Sequence, residues 1–325
     1  MNAQDKLLII NQAALQESIT LAETIEIVDQ AMRELSAGLV AAPERTVMAV
    51  NAATRLGLMP GAMPSLTRFG VKVVSLSSHA PHFDLPSHQG LMLLFDSTTG
   101  RPLAALDCHA LTRMRTAAAS AVATRALARP DAKTLAIIGP GDLAGPHLDA
   151  ICAIRPIERI RIWGRSKAKA EAFAAGRRAV SVAATVEQAV RGADIVCTLT
   201  SSSDPLLEGA WLEPGQHLNL VGSSLRSSRE VDDETVRRGY FIADSRNHAL
   251  TQAGELRHAI EQRVVDQSHV KGEIGEVLLG KVPGRTSHDQ ITIYKSLGHA
   301  AQDIALAHAL LLRAGKSDKV TAVDW

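Results

Sequence analysis

A chain of 325 residues is longer than one ordinary hydrophobic core and suits two domains of about 100–200 residues each. Apolar residues make up 46%, enough for a large buried core, and no uninterrupted apolar run is long enough to span a bilayer. Lys and Arg number 35 against 34 Asp and Glu, a balance that argues against a generic nucleic-acid or anionic-membrane binder, so any positive charge that matters is local.

The amino terminus, MNAQDKLLIINQAAL, has no basic region ahead of a long apolar run, which makes the cytoplasm the expected location. Thr20 to Glu23 has capping-box spacing and is followed by Ile25, Val28, Met32 and Leu35 at steps of three and four, predicting an amphipathic helix. Strand-like runs follow at Val71 to Leu76, Leu91 to Phe95 and Pro102 to Leu106, the last two joined by the turn Asp96-Ser97-Thr98-Thr99-Gly100 into a hairpin. From His109 to Ala128 an Ala-rich stretch almost free of breakers predicts a long helix, closed by Pro130 and Asp131.

Beyond it strands and helices alternate. TLAIIG, a helix from about Leu143, RIRIWG, a helix over Lys167 to Ala175, AVSVA, a helix near Glu187 and DIVCTLT predict a parallel sheet with helices on both faces, which HLNLVG and GYFIAD continue. The chain ends in a helix from about Ser296 to Ala314. Cys108, Cys152 and Cys197 lie far apart in apolar stretches and are expected as small buried residues, not as a disulfide or zinc framework. His79, His82 and His88 lack an accompanying set of carboxylates and cysteines, so no metal is expected.

Gly139-Pro140-Gly141-Asp142-Leu143-Ala144 directly follows the apolar strand Leu135 to Ile138 and precedes a helix, the context a dinucleotide-binding glycine fingerprint requires. Gly139 allows the tight turn, Gly141 lets a pyrophosphate approach backbone N–H groups, and Ala144 lets helix and strand pack closely. The helix N-terminus adds partial positive charge. The next strand ends in Gly164-Arg165-Ser166, where an acidic residue would take the ribose hydroxyls of NAD; an arginine pairs instead with a 2′-phosphate. The expected cofactor is therefore NADP(H), with NAD(H) as the second candidate. Thr200 and Ser201, and Val221-Gly222-Ser223, follow later strands and are placed to face the nicotinamide.

Arg45 in PERTVM, Lys72 in FGVKVVS, Ser87-His88-Gln89-Gly90, the run LTRMRTAAASAVATRAL and the late segment TIYKSLGHAAQDIALA resemble the ornithine cyclodeaminase and mu-crystallin family over nearly the whole chain. The resemblance implies an α/β protein with a Rossmann doubly wound parallel sheet (residues 119–299) and an α/β substrate-binding and dimerisation domain (1–118 with 300–325), assembled as a homodimer. It implies that Arg45, Lys72 and Arg115 bind a substrate carboxylate and act in catalysis, with Ser87 nearby where relatives often carry threonine, and that Thr116, at the start of the long helix, contacts a cofactor phosphate. An arginine fork gripping a carboxylate, reinforced by the point charge of a lysine, agrees with this.

Two departures bear on the reaction. Cyclodeaminases of the family carry an aspartate in a Gly-x-Asp context after the fifth Rossmann strand; here the stretch is Gly222-Ser223-Ser224, and a serine neither attracts a cationic amine nor serves as a general base near neutral pH. Leu143 stands where glutamine is common. The favoured reading is NADPH-dependent reduction of a small cyclic α-imino acid, Δ1-pyrroline-2-carboxylate or Δ1-piperideine-2-carboxylate, to the L-amino acid, as in ketimine reductases. The alternatives are an ornithine or lysine cyclodeaminase recycling bound NAD, with Asp232, Asp233 or Glu255 as its carboxylate, an alanine or opine-type dehydrogenase, and a non-catalytic NADP-binding crystallin-like protein.

Overall fold

A computed structural model describes residues 6–314 and 319–325. Its contacts divide the chain into two compact units, one ending at Arg115 and resuming at Gly298, the other running from Thr116 to Leu297. The first unit opens with β1 (Lys6–Ile10), α1 (Gln12–Ser18), α2 (Leu21–Ser36), β2 (Thr46–Ala49), β3 (Thr54–Met63), β4 (Arg68–Ser77), β5 (His88–Asp96) and β6 (Pro102–Asp107), and α3 (Cys108–Leu127) carries the chain onward. The second unit follows with β7 (Thr134–Ile138), α4 (Ala144–Ile154), β8 (Arg159–Trp163), α5 (Lys167–Ala174), β9 (Val180–Val182), α6 (Val186–Val190), β10 (Ile195–Thr198), β11 (His217–Leu220), α7 (Asp233–Arg238), β12 (Tyr240–Ala243), α8 (Arg246–Gln252), α9 (Gly254–Glu261), β13 (Val270–Glu273), α10 (Ile274–Leu278) and β14 (Thr292–Lys295). The chain then returns to the first unit as α11 (Ala300–Ala314) and β15 (Val320–Asp324).

In the first unit the strands form one sheet in the order β15-β1-β6-β5-β4-β3-β2, and β5 and β6 make the expected hairpin. The faces of β4 differ: Gly70, Lys72 and Val74 point into the core while Val71 and Val73 are half-exposed, the period-two pattern of a sheet covered on one side. The covering element is α11, packed on β3, β4 and β5 and against α2. The Thr20–Glu23 capping box starts α2, with Glu23 Oε2 accepting from the Thr20 N–H at 2.9 Å and the Glu23 N–H donating to Thr20 Oγ1 at 3.2 Å. That leaves Ile25, Val28 and Met32 on the buried face.

In the second unit the sheet runs β13-β12-β14-β11-β10-β7-β8-β9, every pairing parallel. β7, β10 and β11 are buried at every position, as strands covered on both faces must be. The chain lays down β7, β8 and β9 in one direction and returns to place β10 on the other side of β7, so the order reverses at β7 and β10. That reversal is where an open parallel sheet opens a crevice at the carboxyl ends of its strands. No helix among the described residues is long and apolar enough to cross a membrane.

Three expectations are corrected. Thr116 is not at the start of the long helix but in its middle, because Asp107 Oδ1 accepts from the Ala110 N–H at 2.7 Å and starts α3 at Cys108. The last helix begins at Ala300 and not near Ser296, since Thr292 to Lys295 is taken by β14 and Gly298 turns the chain at φ +80°. Cys152 is exposed: Ala150 and Ile151 take the buried face of α4, and Cys152 falls on its outer one.

Candidate active site

The first unit brings two of the predicted cations together around a carboxylate. Lys72, inward-facing on β4, places Nζ 2.8 Å from Asp303 Oδ2, and Arg115 on α3 places Nε 3.0 Å from Asp303 Oδ1. Arg115 also donates from Nη1 to Gln302 Oε1 at 3.1 Å, and its guanidinium lies against Gly298, where a Cβ would come within 2.6 Å of Nη1. The Lys72, Arg115 and Asp303 side chains are 3%, 6% and 1% exposed, so the cluster is desolvated. Burial and the neighbouring Arg115 push the Lys72 ammonium below its ordinary pKa, against the pull of Asp303. Burial works against ionisation of Asp303, but Lys72 and Arg115 outweigh it and hold the carboxyl below the usual range. Two cations against one anion leave a single net positive charge, suited to one carboxylate.

Arg45 directly precedes the edge strand β2. Continuing the Thr46–Leu58 register by one residue puts it opposite Met59, itself paired with Lys72, so Arg45 and Lys72 share a row of the sheet two strand spacings apart, about 10 Å. Ser87 stands apart. It lies beyond the Leu76–His88 pair, opposite Ser77, five positions along β4 from Lys72 and about 17 Å away by strand rise, with Oγ 2.9 Å from His88 Nδ1.

In the second unit β7 runs into Gly139 at φ +114°, where the N–H donates to Trp163 O at 2.8 Å and an added Cβ would come within 3.0 Å of Leu199 and Thr200. Only glycine accepts that backbone and that contact. Nothing lies within 4 Å of where a Cβ on Gly141 would be, so the chain there is open to a ligand. Asp142 is exposed in the turn, and Leu143 is the N-cap of α4 with no side-chain cap bond, so no side chain competes at Leu143 for the first N–H donors. Ala144 is fully buried against the sheet. His147 ties α4 to α3, with Nδ1 2.8 Å from Leu143 O and Nε2 3.0 Å from Ser120 Oγ, and burial brings its pKa down to about 4. These residues fit a dinucleotide pyrophosphate.

Arg165 is exposed just beyond β8, and Ser166 caps α5, accepting from the Lys169 N–H at 3.4 Å. Thr116 is buried; its N–H is committed inside α3, so any phosphate contact is through the hydroxyl. After β10, Thr200 donates its N–H to Glu230 and Ser201 is exposed; after β11, Val221 and Ser223 are buried and flank Gly222.

Residues 6–317 match the ornithine cyclodeaminase/mu-crystallin family. The chain belongs to that family. Mouse ketimine reductase mu-crystallin is 36% identical over 83% of this chain and 84% of its own. Among solved structures, Thermococcus litoralis Δ1-pyrroline-2-carboxylate reductase in complex with NADH and L-proline is 33% identical, covers 95% of this chain and 98% of its own, and superposes with a TM-score of 0.93. An archaeal alanine dehydrogenase dimer with bound NAD is 28% identical over 98% of this chain and 99% of its own, also with a TM-score of 0.93.

Within that family, the three carboxylates considered for a cyclodeaminase role are occupied structurally. Asp232 Oδ1 caps α7, accepting from the Thr235 N–H at 2.8 Å and the Gly209 N–H at 2.9 Å. Asp233 lies 2.8 Å from His258 Nδ1 and 3.5 Å from Arg229 Nη1. Glu255 is fully buried, 2.7 Å from the equally buried Lys295. Sequence reasoning missed Asp303, Gln302 and Glu230. For Asp303 the signal was present: it is an acid in the Ala-rich segment AAQDIALA, every residue of which, Ala300 to Ala307, is buried.

Proposed function

We propose that the chain reduces a small cyclic α-imino acid, Δ1-pyrroline-2-carboxylate or Δ1-piperideine-2-carboxylate, to the L-amino acid, with NADPH preferred over NADH. The observation that carries this reading is the buried Lys72–Asp303–Arg115 cluster with one net positive charge. It is supported by serines at 223 and 224, where a cyclodeaminase needs a carboxylate, and by the complex of the T. litoralis relative with NADH and L-proline.

Arg115, oriented by Asp303 and Gln302, and Arg45 on the same sheet row as Lys72 hold the substrate carboxylate. Lys72 orients that carboxylate or gives a proton to the imine nitrogen, a role to which its lowered pKa is suited. When bound, the nicotinamide cofactor supplies the hydride. Gly139, Gly141 and the α4 N-terminus take the pyrophosphate, Thr116 adds a hydroxyl, and Arg165 pairs with the 2′-phosphate. Ser87, five strand positions from Lys72, has no part in gripping the carboxylate in this scheme.

The protein works as a homodimer in this reading. The outer face of the first sheet carries Met48, Leu56, Leu58, Val71, Val73, Leu91 and Leu93, half-exposed or exposed and in register across four strands, an apolar face that a second copy would cover.

The test is NADPH oxidation, with NADH in parallel, on adding either imino acid, and Lys72→Ala as control. Turnover that favours NADPH and drops by about a hundredfold or more in the variant is expected. No turnover with either cofactor removes the reading, and ammonia release from ornithine or lysine then identifies a deaminase.

A further inference from the structure

We infer that Glu230 is the positioning residue for the nicotinamide end of the cofactor, holding the loops after β10 and β11 in one fixed arrangement; this rests on the nucleotide reading above. The glycine turn after β7 marks the pyrophosphate, and β8, which leads to Arg165, lies to one side of it. The remaining half of a dinucleotide then runs over the carboxyl ends of β10 and β11 on the other side.

Glu230, 1% exposed, sits between β11 and α7 beneath those ends. Its Oε1 accepts from the Thr200 N–H at 2.6 Å and the Thr200 hydroxyl at 2.8 Å. Its Oε2 accepts from the Thr198 hydroxyl at 2.8 Å and from the N–H groups of Gly222 at 2.8 Å and Ser223 at 3.2 Å. One carboxylate thus binds both loops through five donors. The loops also touch directly: a Cβ on Gly222 would fall 2.0 Å from Thr200 O, which leaves room for glycine alone. On the far side Lys295 donates to Ser223 O at 2.5 Å.

All five partners donate, so the group among them must accept with both oxygens. Glutamine has one accepting oxygen and presents an NH₂ to donors in place of the other. The two hydroxyls can turn away, but the backbone N–H groups cannot, so at least one buried N–H loses its acceptor and one loop moves. The adenosine side, built on β8 and the α4 N-terminus, takes no bond from Glu230.

The experiment compares binding of whole cofactors with fragments lacking nicotinamide, NADPH against 2′,5′-ADP and NADH against ADP, by fluorescence titration or calorimetry. Glu230→Gln is expected to weaken the whole cofactor by about tenfold or more, the scale of one unmet buried donor, and to leave the fragment within about twofold. Equal weakening of cofactor and fragment, or no weakening of either, overturns the inference. If Glu230→Gln does not fold, Thr198→Val, which removes a single bond to Oε2, carries the same comparison with about a threefold expected loss for the cofactor alone. A wild-type chain that binds neither cofactor nor fragment overturns the nucleotide reading itself, an outcome distinct from binding that Glu230→Gln leaves unchanged.

Discussion

Replacing Asp303 by asparagine keeps the shape of the residue and removes the negative charge that pairs with both Lys72 and Arg115. At the observed 2.8 and 3.0 Å, each attraction is about 6 kcal/mol at an effective dielectric of about 20, before desolvation is counted. Removing one partner of a buried ion pair has a net cost of about 3–5 kcal/mol, because the surviving charge is left without compensation. Here two cations survive. With roughly 2–4 °C of melting temperature per kcal/mol for a large chain, Tm at pH 7 falls by about 6–20 °C. Asp303 is also what opposes the loss of the Lys72 proton, so in the variant Lys72 sheds it at lower pH, and the gap to wild type narrows as pH rises. Adding Lys72→Met removes one surplus cation, and the double variant melts above Asp303→Asn alone. Calorimetry on the wild type, both single variants and the double variant measures this cycle. A Tm for Asp303→Asn within about 2 °C of wild type, or a double variant whose loss is the full sum of the singles, refutes the charge argument.

His147 and His217 are fully buried, and burial first, joined at His217 by Arg285, lowers their pKa values to about 4 and about 3. The unfolded chain then binds two more protons than the folded one between about pH 6 and 5. The stability these histidines confer is present above pH 6.5 and lost as pH falls from there towards about 4 for His147 and about 3 for His217, at up to about 2.7 kcal/mol per pH unit near pH 5. His217→Gln halves that slope in denaturant titrations; an unchanged slope assigns the protons elsewhere. Arg165→Ala weakens NADPH by about tenfold, as expected for a charge-assisted phosphate contact, and leaves NADH unchanged, measured as KM for each cofactor. Equal loss for both cofactors removes Arg165 as the reader of the 2′-phosphate.

The Rossmann half was legible because its signals are local. A glycine turn between an apolar strand and a helix, and strands alternating with helices, act through neighbouring residues, and the positive φ at Gly139 is what such a turn demands. The capping box at Thr20 and the hairpin at Asp96 to Gly100 are local in the same way. The short strands β13 and β14 passed unread, since four residues such as VKGE and TIYK carry too little periodicity to stand out. What the chain order alone could not decide was the pairing of distant charges. Asp303 lies 188 residues from Arg115, and only the return of α11 onto β4 and β5 brings its carboxylate between Lys72 and Arg115. Glu230 became interpretable only when β10 and β11 lay side by side and its two oxygens met donors from both. Local chemistry is written in adjacent residues, whereas a buried charge finds its partner through the packing of elements far apart in the chain, and that packing is a property of the tertiary structure.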